Sequence, residues 1–153
     1  MRWFPRLLYW ADRLRYRIAR CPVTVGVRLL LLREGEILLV RHTYQRDWYL
    51  PGGKVERGET LEQAARREAD EELGATLGTL RLFGVYTNFY ERRSDHVVVF
   101  LCDDLTLTGE TDREIERFVW FPLEQLPEGV SPGSRHRIAE YANWDGKAVA
   151  GLW

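Results

Sequence analysis

Two cysteines, two lysines and three histidines among 153 residues leave several chemistries without material. Cys21 and Cys102 are far apart and in no metal-ligand spacing, which excludes a disulfide framework and points to a reduced, cytoplasmic protein. His42, His96 and His136 are scattered, with no ligand spacing and no serine- or cysteine-based nucleophile pattern, so each reads as structural. No apolar run approaches the roughly 18 residues of a transmembrane helix, and the N-terminus lacks the uninterrupted apolar core of a signal peptide. Repeats, linkers and low-complexity stretches are also missing. A formal charge of −1 lacks the basic excess of a nucleic-acid-binding surface, so no nucleic-acid partner is expected. The shortage of lysine is one-sided, with twenty Arg present, and reads as genome composition rather than mechanism. What is there is 45% hydrophobic, enough for one domain with a real core.

The richest stretch runs from Gly53 to Ala75, GKVERGETLEQAARREADEELGA. Its second half reads as one helix: Thr60 is a good N-cap, Gln63 completes a capping box, and Gly74 supplies a left-handed stop. At about 100° per residue, Leu61, Ala64, Ala65 and Ala69 form an apolar stripe. Glu62, Gln63, Arg66 and Asp70 take the opposite face. Glu68 and Glu72, four apart, fall inside the apolar stripe, and Glu71 sits at its edge. Clustered carboxylates on a half-buried face repel one another and lose hydration, so they need a compensating charge. A hard divalent cation supplies it, because Mg²⁺ takes carboxylate oxygens and fills its other positions with water and substrate phosphate. The competing reading is a salt-bridged helix neutralised by Arg66 and Arg67.

The residues ahead of the helix favour the cation. Gly53, Glu59, Arg67-Glu68, Glu71-Glu72 and Gly74 stand at the spacing of the Nudix box, and the stretch resembles it at all seven fixed positions. At roughly 6% per residue type, a chance match in this chain is rarer than about one in a hundred thousand. Ala69 and Ala75 depart from the larger aliphatic usual there, a matter of packing rather than chemistry.

The rest of the chain agrees with an α+β domain. Pro22 breaks the chain, Val23 to Leu32 reads as a buried strand, residues 33–36 as a turn, and Ile37 to Arg41 as the second strand of a hairpin. A loop leads through Trp48-Tyr49-Leu50, of which one aromatic is core, to the Pro51-Gly52-Gly53 turn. Leu80 to Tyr90 and Val97 to Cys102 read as strands, with Glu91 to Asp95 a charged turn between them. Residues 106–117 read as a mobile polar loop, Phe118 to Phe121 as a short strand, and Leu123 to Leu126 as a single turn. Ser131-Pro132 caps a last helix through Ala142, with Ile138, Tyr141 and Ala142 facing inward. The resemblance implies a Nudix-type α/β/α sandwich: a mixed sheet with a helix on each face, spanning 22–153.

What the resemblance implies chemically is metal-dependent hydrolysis of a diphosphate linked to another moiety, with Mg²⁺ or Mn²⁺. Metal ions offset the negative charge that repels the nucleophile and lower the pKa of a bound water. Glu68, Glu71 and Glu72 become the metal carboxylates, with the Gly52 carbonyl a further ligand. Arg67 holds Glu59 and so the loop against the helix. Gly53 and Lys54 line the substrate; apart from the resemblance, Tyr44, Phe89 and Tyr90 carry rings able either to stack on a nucleobase or to pack within the domain, and Tyr44 is the substrate-binding candidate. The base that activates water is expected in the loop before Trp120-Phe121-Pro122, which offers Glu110, Asp112, Glu114 and Glu116. Glu114, six residues before Trp120, is the best placed, with Glu68 the fallback. The substrate reads as a nucleoside diphosphate derivative such as ADP-ribose, ahead of an ordinary or oxidised nucleoside triphosphate. A non-catalytic, nucleotide-sensing domain is the third reading; such domains commonly lose box carboxylates, and this chain keeps them all.

Residues 1–21 lie outside the resemblance and read as a basic amphipathic helix over 5–19. Trp3, Leu7, Trp10, Leu14 and Ile18 share one side. Residues 1–20 hold six Arg and one Asp, a net +5, so the remainder sums to −6. The expectation is a helix docked on the domain or forming a homodimer contact, ahead of one lying on an anionic membrane surface.

Overall fold

Val23–Arg33 forms strand β1 of the computed structural model, which describes residues 23–90, 93–111 and 113–153. The run is apolar on both sides because it is covered on both sides. Val27, Leu29 and Leu31 face one core with Val98, Phe100 and Cys102, while Leu30 and Leu32 face the other with Val97, Val99 and Leu101. Glu34 and Gly35, both with positive φ (48° and 83°), turn the chain into β2, Glu36–His42. That hairpin closes only at Leu32–Ile37 and Arg33–Glu36. Beyond it the two strands separate, β1 pairing in parallel with β5 (Arg93–Cys102) and β2 antiparallel with β7 (Ile115–Pro122).

The gap between β1 and β2 is filled by residues 48–55. Tyr49 exchanges both backbone bonds with Val40, at 2.9 Å each. The chain then turns at Pro51-Gly52 and descends along β1: Leu29 N–H donates to the Pro51 carbonyl (2.9 Å) and Val27 N–H to the Gly53 carbonyl (2.8 Å). The glycine loop is therefore a wedge held by backbone on both flanks. Gly52 has φ +124° and lies so close to the Val27 carbonyl that no β-carbon fits, which is why glycine stands there.

The full sheet runs β7-β2-β1-β5-β4-β8, with β4 at Arg81–Tyr90 and β8 at Val149–Leu152. It is mixed: β1–β5 and β4–β8 are parallel and the other pairs antiparallel. Helix α1, Leu61–Leu73, packs Ala64, Ala65, Ala69 and Leu73 on one face; α2, Pro132–Tyr141, packs Ile138 on the other. A small ribbon of β3 (Ala75–Leu77) and β6 (Leu105–Leu107) follows the C-terminal end of α1. Both ends of α1 have local causes. Thr60 and Gln63 form the capping box, worth about 1 kcal/mol, and Gly74 stops the helix at φ 58°, ψ 38°.

Several boundaries differ from the sequence reading. Leu61 is 38% exposed, because at the first helical position it overhangs the sheet instead of facing it. Ala142, at the frayed end of α2, is exposed as well. The expected loop 106–117 is shorter than read: Thr106 and Leu107 belong to β6, which pairs with β3, and β7 starts at Ile115, whose side chain is buried, so the described residues 108–111 and 113–114 lie outside any strand. β5 begins at Arg93, so Ser94 and Asp95 belong to the ladder with β4 rather than to a turn. β8 was not anticipated, since its four residues are all exposed and carry no alternation. Of the pair Trp48 and Tyr49, Trp48 is the core residue. The N-terminal helix expected over 5–19 lies outside the described residues. Among those described, no helix is long and apolar enough to cross a membrane.

Candidate active site

The wedge and α1 meet at four carboxylates. Glu72, buried within the helix face, accepts the Gly52 N–H at 2.7 Å, so the helix grips the tip of the loop directly. One turn earlier Glu68 lies against Gly53, where a β-carbon would stand 2.5–2.6 Å from its carboxylate atoms. Glycine at 53 therefore lets a carboxylate lie against bare backbone.

Arg67 ties the rest together. Its guanidinium grips Glu59 through two bonds, Nε to Oε1 at 2.7 Å and Nη2 to Oε2 at 3.1 Å. Nη1 reaches Glu68 at 2.9 Å and Glu71 at 3.0 Å, and Nη2 also reaches the Lys54 carbonyl at 3.0 Å. Glu59 further accepts the Glu56 N–H at 2.9 Å, closing the turn before the helix. Loop 54–59 is thus fastened to α1 through one planar fork, a geometry lysine cannot supply.

The electrostatics follow from this arrangement. The hydrogen bonds from Arg67, then that from the Glu56 N–H, hold the Glu59 carboxyl below its ordinary range. The same contacts push the Arg67 pKa further up, so it is cationic at any working pH. Glu68 moves the other way: burial raises its pKa, and only part of that rise is offset by Arg67 and the nearby Arg28. Glu59, Glu68, Glu71 and Glu72 against Arg67 leave three formal negative charges on a half-buried patch. An oxygen-only donor set with that excess fits a hard divalent cation. Among the described residues no three Asp, Glu, His or Cys side chains close into a cage by themselves.

Beside Gly53 opens a cleft of about 350 Å³ lined by Lys54, Arg28, Thr24, Asn88 and Asp95. Thr24 donates to Asp95 at 2.7 Å, joining its far wall. Sequence reasoning named Gly53 and Lys54 but missed the rest of the lining, although Arg28 carried a signal: it is a charged residue inside a largely apolar strand. Tyr44 is exposed and stacks on His42 with ring centroids 5.3 Å apart. Glu114 lies on the exposed stretch before β7, where its carbonyl accepts the Thr43 N–H at 2.8 Å. The structure therefore gathers Gly52, Gly53, Lys54, Glu59, Arg67, Glu68, Glu71 and Glu72 into one site. Tyr44 and Glu114 lie instead at the corner formed by the end of β2 and the start of β7. A larger hollow of about 750 Å³ lies between α2 and β8 but holds none of the box residues.

The NUDIX domain family matches residues 22–141. The chain belongs to the Nudix family. It is a Nudix hydrolase, and hydrolases of this family use divalent metal ions and act on nucleotide-derived small molecules. An ADP-ribose pyrophosphatase of Methanocaldococcus jannaschii is 30% identical over 151 residues, covering 94% of this chain and 86% of that protein. An oxidized purine nucleoside triphosphate hydrolase of Danio rerio is 36% identical over 105 residues, covering 65% of this chain and 66% of that protein. Among solved structures, the MutT NUDIX hydrolase from Burkholderia pseudomallei superposes with a TM-score of 0.69 at 28% identity, covering 77% of this chain and 97% of that one.

Proposed function

We propose that this Nudix hydrolase cleaves the diphosphate of a nucleoside diphosphate linked to a sugar-like moiety, ADP-ribose being the type substrate, with Mg²⁺ as the working ion and Mn²⁺ as its substitute. Glu68, Glu71 and Glu72 hold the metal, with the Gly52 carbonyl as a further ligand. When bound, the metal offsets phosphate charge and lowers the pKa of the attacking water.

The chain's own residues do the rest. Arg67 and Glu59 fix the loop so that Gly53 stays open beneath Glu68. Lys54 and Arg28 bring positive charge to the cleft where a second phosphate lies. Tyr44 offers a ring to the base. Glu114 takes the proton from water as it attacks phosphorus, and the leaving phosphate departs with the other half of the molecule. The complete set of carboxylates favours catalysis over nucleotide sensing.

The single observation supporting the ADP-ribose reading is the match to an ADP-ribose pyrophosphatase across 94% of the chain, against 65% for the oxidized-purine hydrolase. Specificity constants for ADP-ribose, dGTP and 8-oxo-dGTP, compared at equal Mg²⁺, test it. ADP-ribose is expected to lead by at least about tenfold. A higher value for either triphosphate reverses the assignment in favour of a nucleotide-pool-cleaning enzyme.

The reduced, cytoplasmic setting read from the cysteines stays part of this proposal. Cys102 is a buried free thiol whose pKa is pushed up by burial, which suits an inert core residue.

A further inference from the structure

Among the described residues, the face of the sheet that carries α1 is covered only in part. Strand registers place Leu82 beside Phe100, Val85 beside Val98 and Ala150, and Thr87 beside Leu152. Directly paired residues share a face, and Phe100 and Val98 belong to the α1-side core. Leu82, Val85, Phe89 and Leu152 therefore form an apolar strip down β4 and β8 on that side, 42%, 38%, 71% and 69% exposed. At its upper end the strip runs into a groove with Leu61, Phe100, Glu59 and Glu62. Such a strip on one face marks a contact surface.

We propose that residues 1–20 of this same chain cover the strip as an intramolecular helix, with their Trp and Leu side inward. Three observations point to this occupant. The first is where β1 starts: Val23 lies opposite Ser94, and Ser94 lies opposite Phe89, so the described chain begins level with the lower end of the strip. From β1 to β4 is two strand spacings, about 10 Å, which three extended residues span.

The second is length. The eight residues from Phe89 back to Leu82 measure about 23 Å at strand rise, and a helix over 5–19 measures about 22 Å. The third is charge. A helix running back up the strip carries its N-terminus, Arg2 and Arg6 toward Glu59 and Glu62, and the segment as a whole is +5 against a remainder of −6. Both pieces also lie outside the matched family region, which spans 22–141: the strand β8 that extends this face and the segment that would cover it.

Limited trypsin digestion of the full chain under native conditions tests the proposal, because residues 1–20 hold six arginine sites. Cleavage there is expected to be at least about tenfold slower than in the urea-denatured chain. The Leu82→Asp/Leu152→Asp variant should lose that protection together with the helical circular dichroism of the docked segment, while the domain still melts in one cooperative step. From the other side, Leu7→Asp/Leu14→Asp should speed amide exchange at residues 149–152 by about tenfold or more.

Equal cleavage of native and denatured chains overturns the proposal, as does protection that either pair of substitutions leaves intact. A wild-type mass of two chains by light scattering that falls to one in the Leu82/Leu152 variant assigns the strip to a second copy instead. Protection that appears only with phosphatidylserine vesicles assigns the segment to a membrane surface instead.

Discussion

Replacing Gly53 by alanine isolates one feature of the site. The new methyl would stand 2.5–2.6 Å from the Cδ and both oxygens of Glu68, where an ordinary contact needs about 3.4 Å or more. The carboxylate must retreat by roughly 1 Å, and a misplacement of that size costs about 10²-fold in rate. Stability should move little. Gly53 is not held at positive φ, and removing a glycine stiffens the unfolded chain, worth about 0.4–1 kcal/mol in favour of folding. Gly53→Ala is therefore expected to lose about 10²-fold in kcat at saturating Mg²⁺ with an unchanged or slightly raised Tm. Steady-state hydrolysis and a thermal melt on the same preparation decide it. Wild-type kcat in a folded Gly53→Ala enzyme would refute the placement of the chemistry at Glu68.

Arg67→Lys should destabilise by about 1–3 kcal/mol, since the lost fork leaves charge-assisted bonds to Glu59 and Glu68 unmade; a melt reads this at roughly 2–4 °C per kcal/mol. Glu72→Gln can still accept the Gly52 N–H but has lost its charge, so half-activation should need at least about 10-fold more Mg²⁺, a loss that an outer-shell partner alone can already cause, measured by titrating the ion. Glu114→Gln should lower kcat by roughly 10²–10⁴-fold with KM nearly unchanged, the usual contribution of a general base; near-normal kcat passes that role to Glu68. The Glu59 carboxyl, held low by Arg67, contributes stability that is complete above its ordinary value of 4.5 and is lost as pH falls through the lower folded value. Glu59→Gln should therefore flatten the Tm-against-pH curve below about 4.5, where the wild type keeps falling.

The sequence carried most about α1, because its signals are local. Thr60, Gln63 and Gly74 set its ends within a few residues of themselves, and the acids on its apolar stripe marked it as more than a surface helix. Both faces of β1 could be read as buried, and β1 lies central in the sheet. What escaped depended on distant partners. β6 and the first half of β7 look polar because Thr106, Glu116 and Arg117 point outward while Leu105, Leu107 and Ile115 turn in. β8 exists only through its pairing with β4, and Val149 to Leu152 has no pattern of its own. The separation of β1 from β2 that admits the glycine wedge has no marker in either strand. Neither does the Glu72 bond to Gly52, made across 20 residues. The cleft beside Gly53 was hidden for the same reason: Thr24, Arg28, Asn88 and Asp95 come together only when β1, β4 and β5 are laid side by side.

The most direct measurement is ADP-ribose hydrolysis by the full chain after treatment with EDTA, followed by return of Mg²⁺ or Mn²⁺. No turnover is expected in chelator and full recovery with either ion, the products being AMP and ribose 5-phosphate. Turnover that survives the chelator, or a metal-replete protein that leaves ADP-ribose intact, would contradict it.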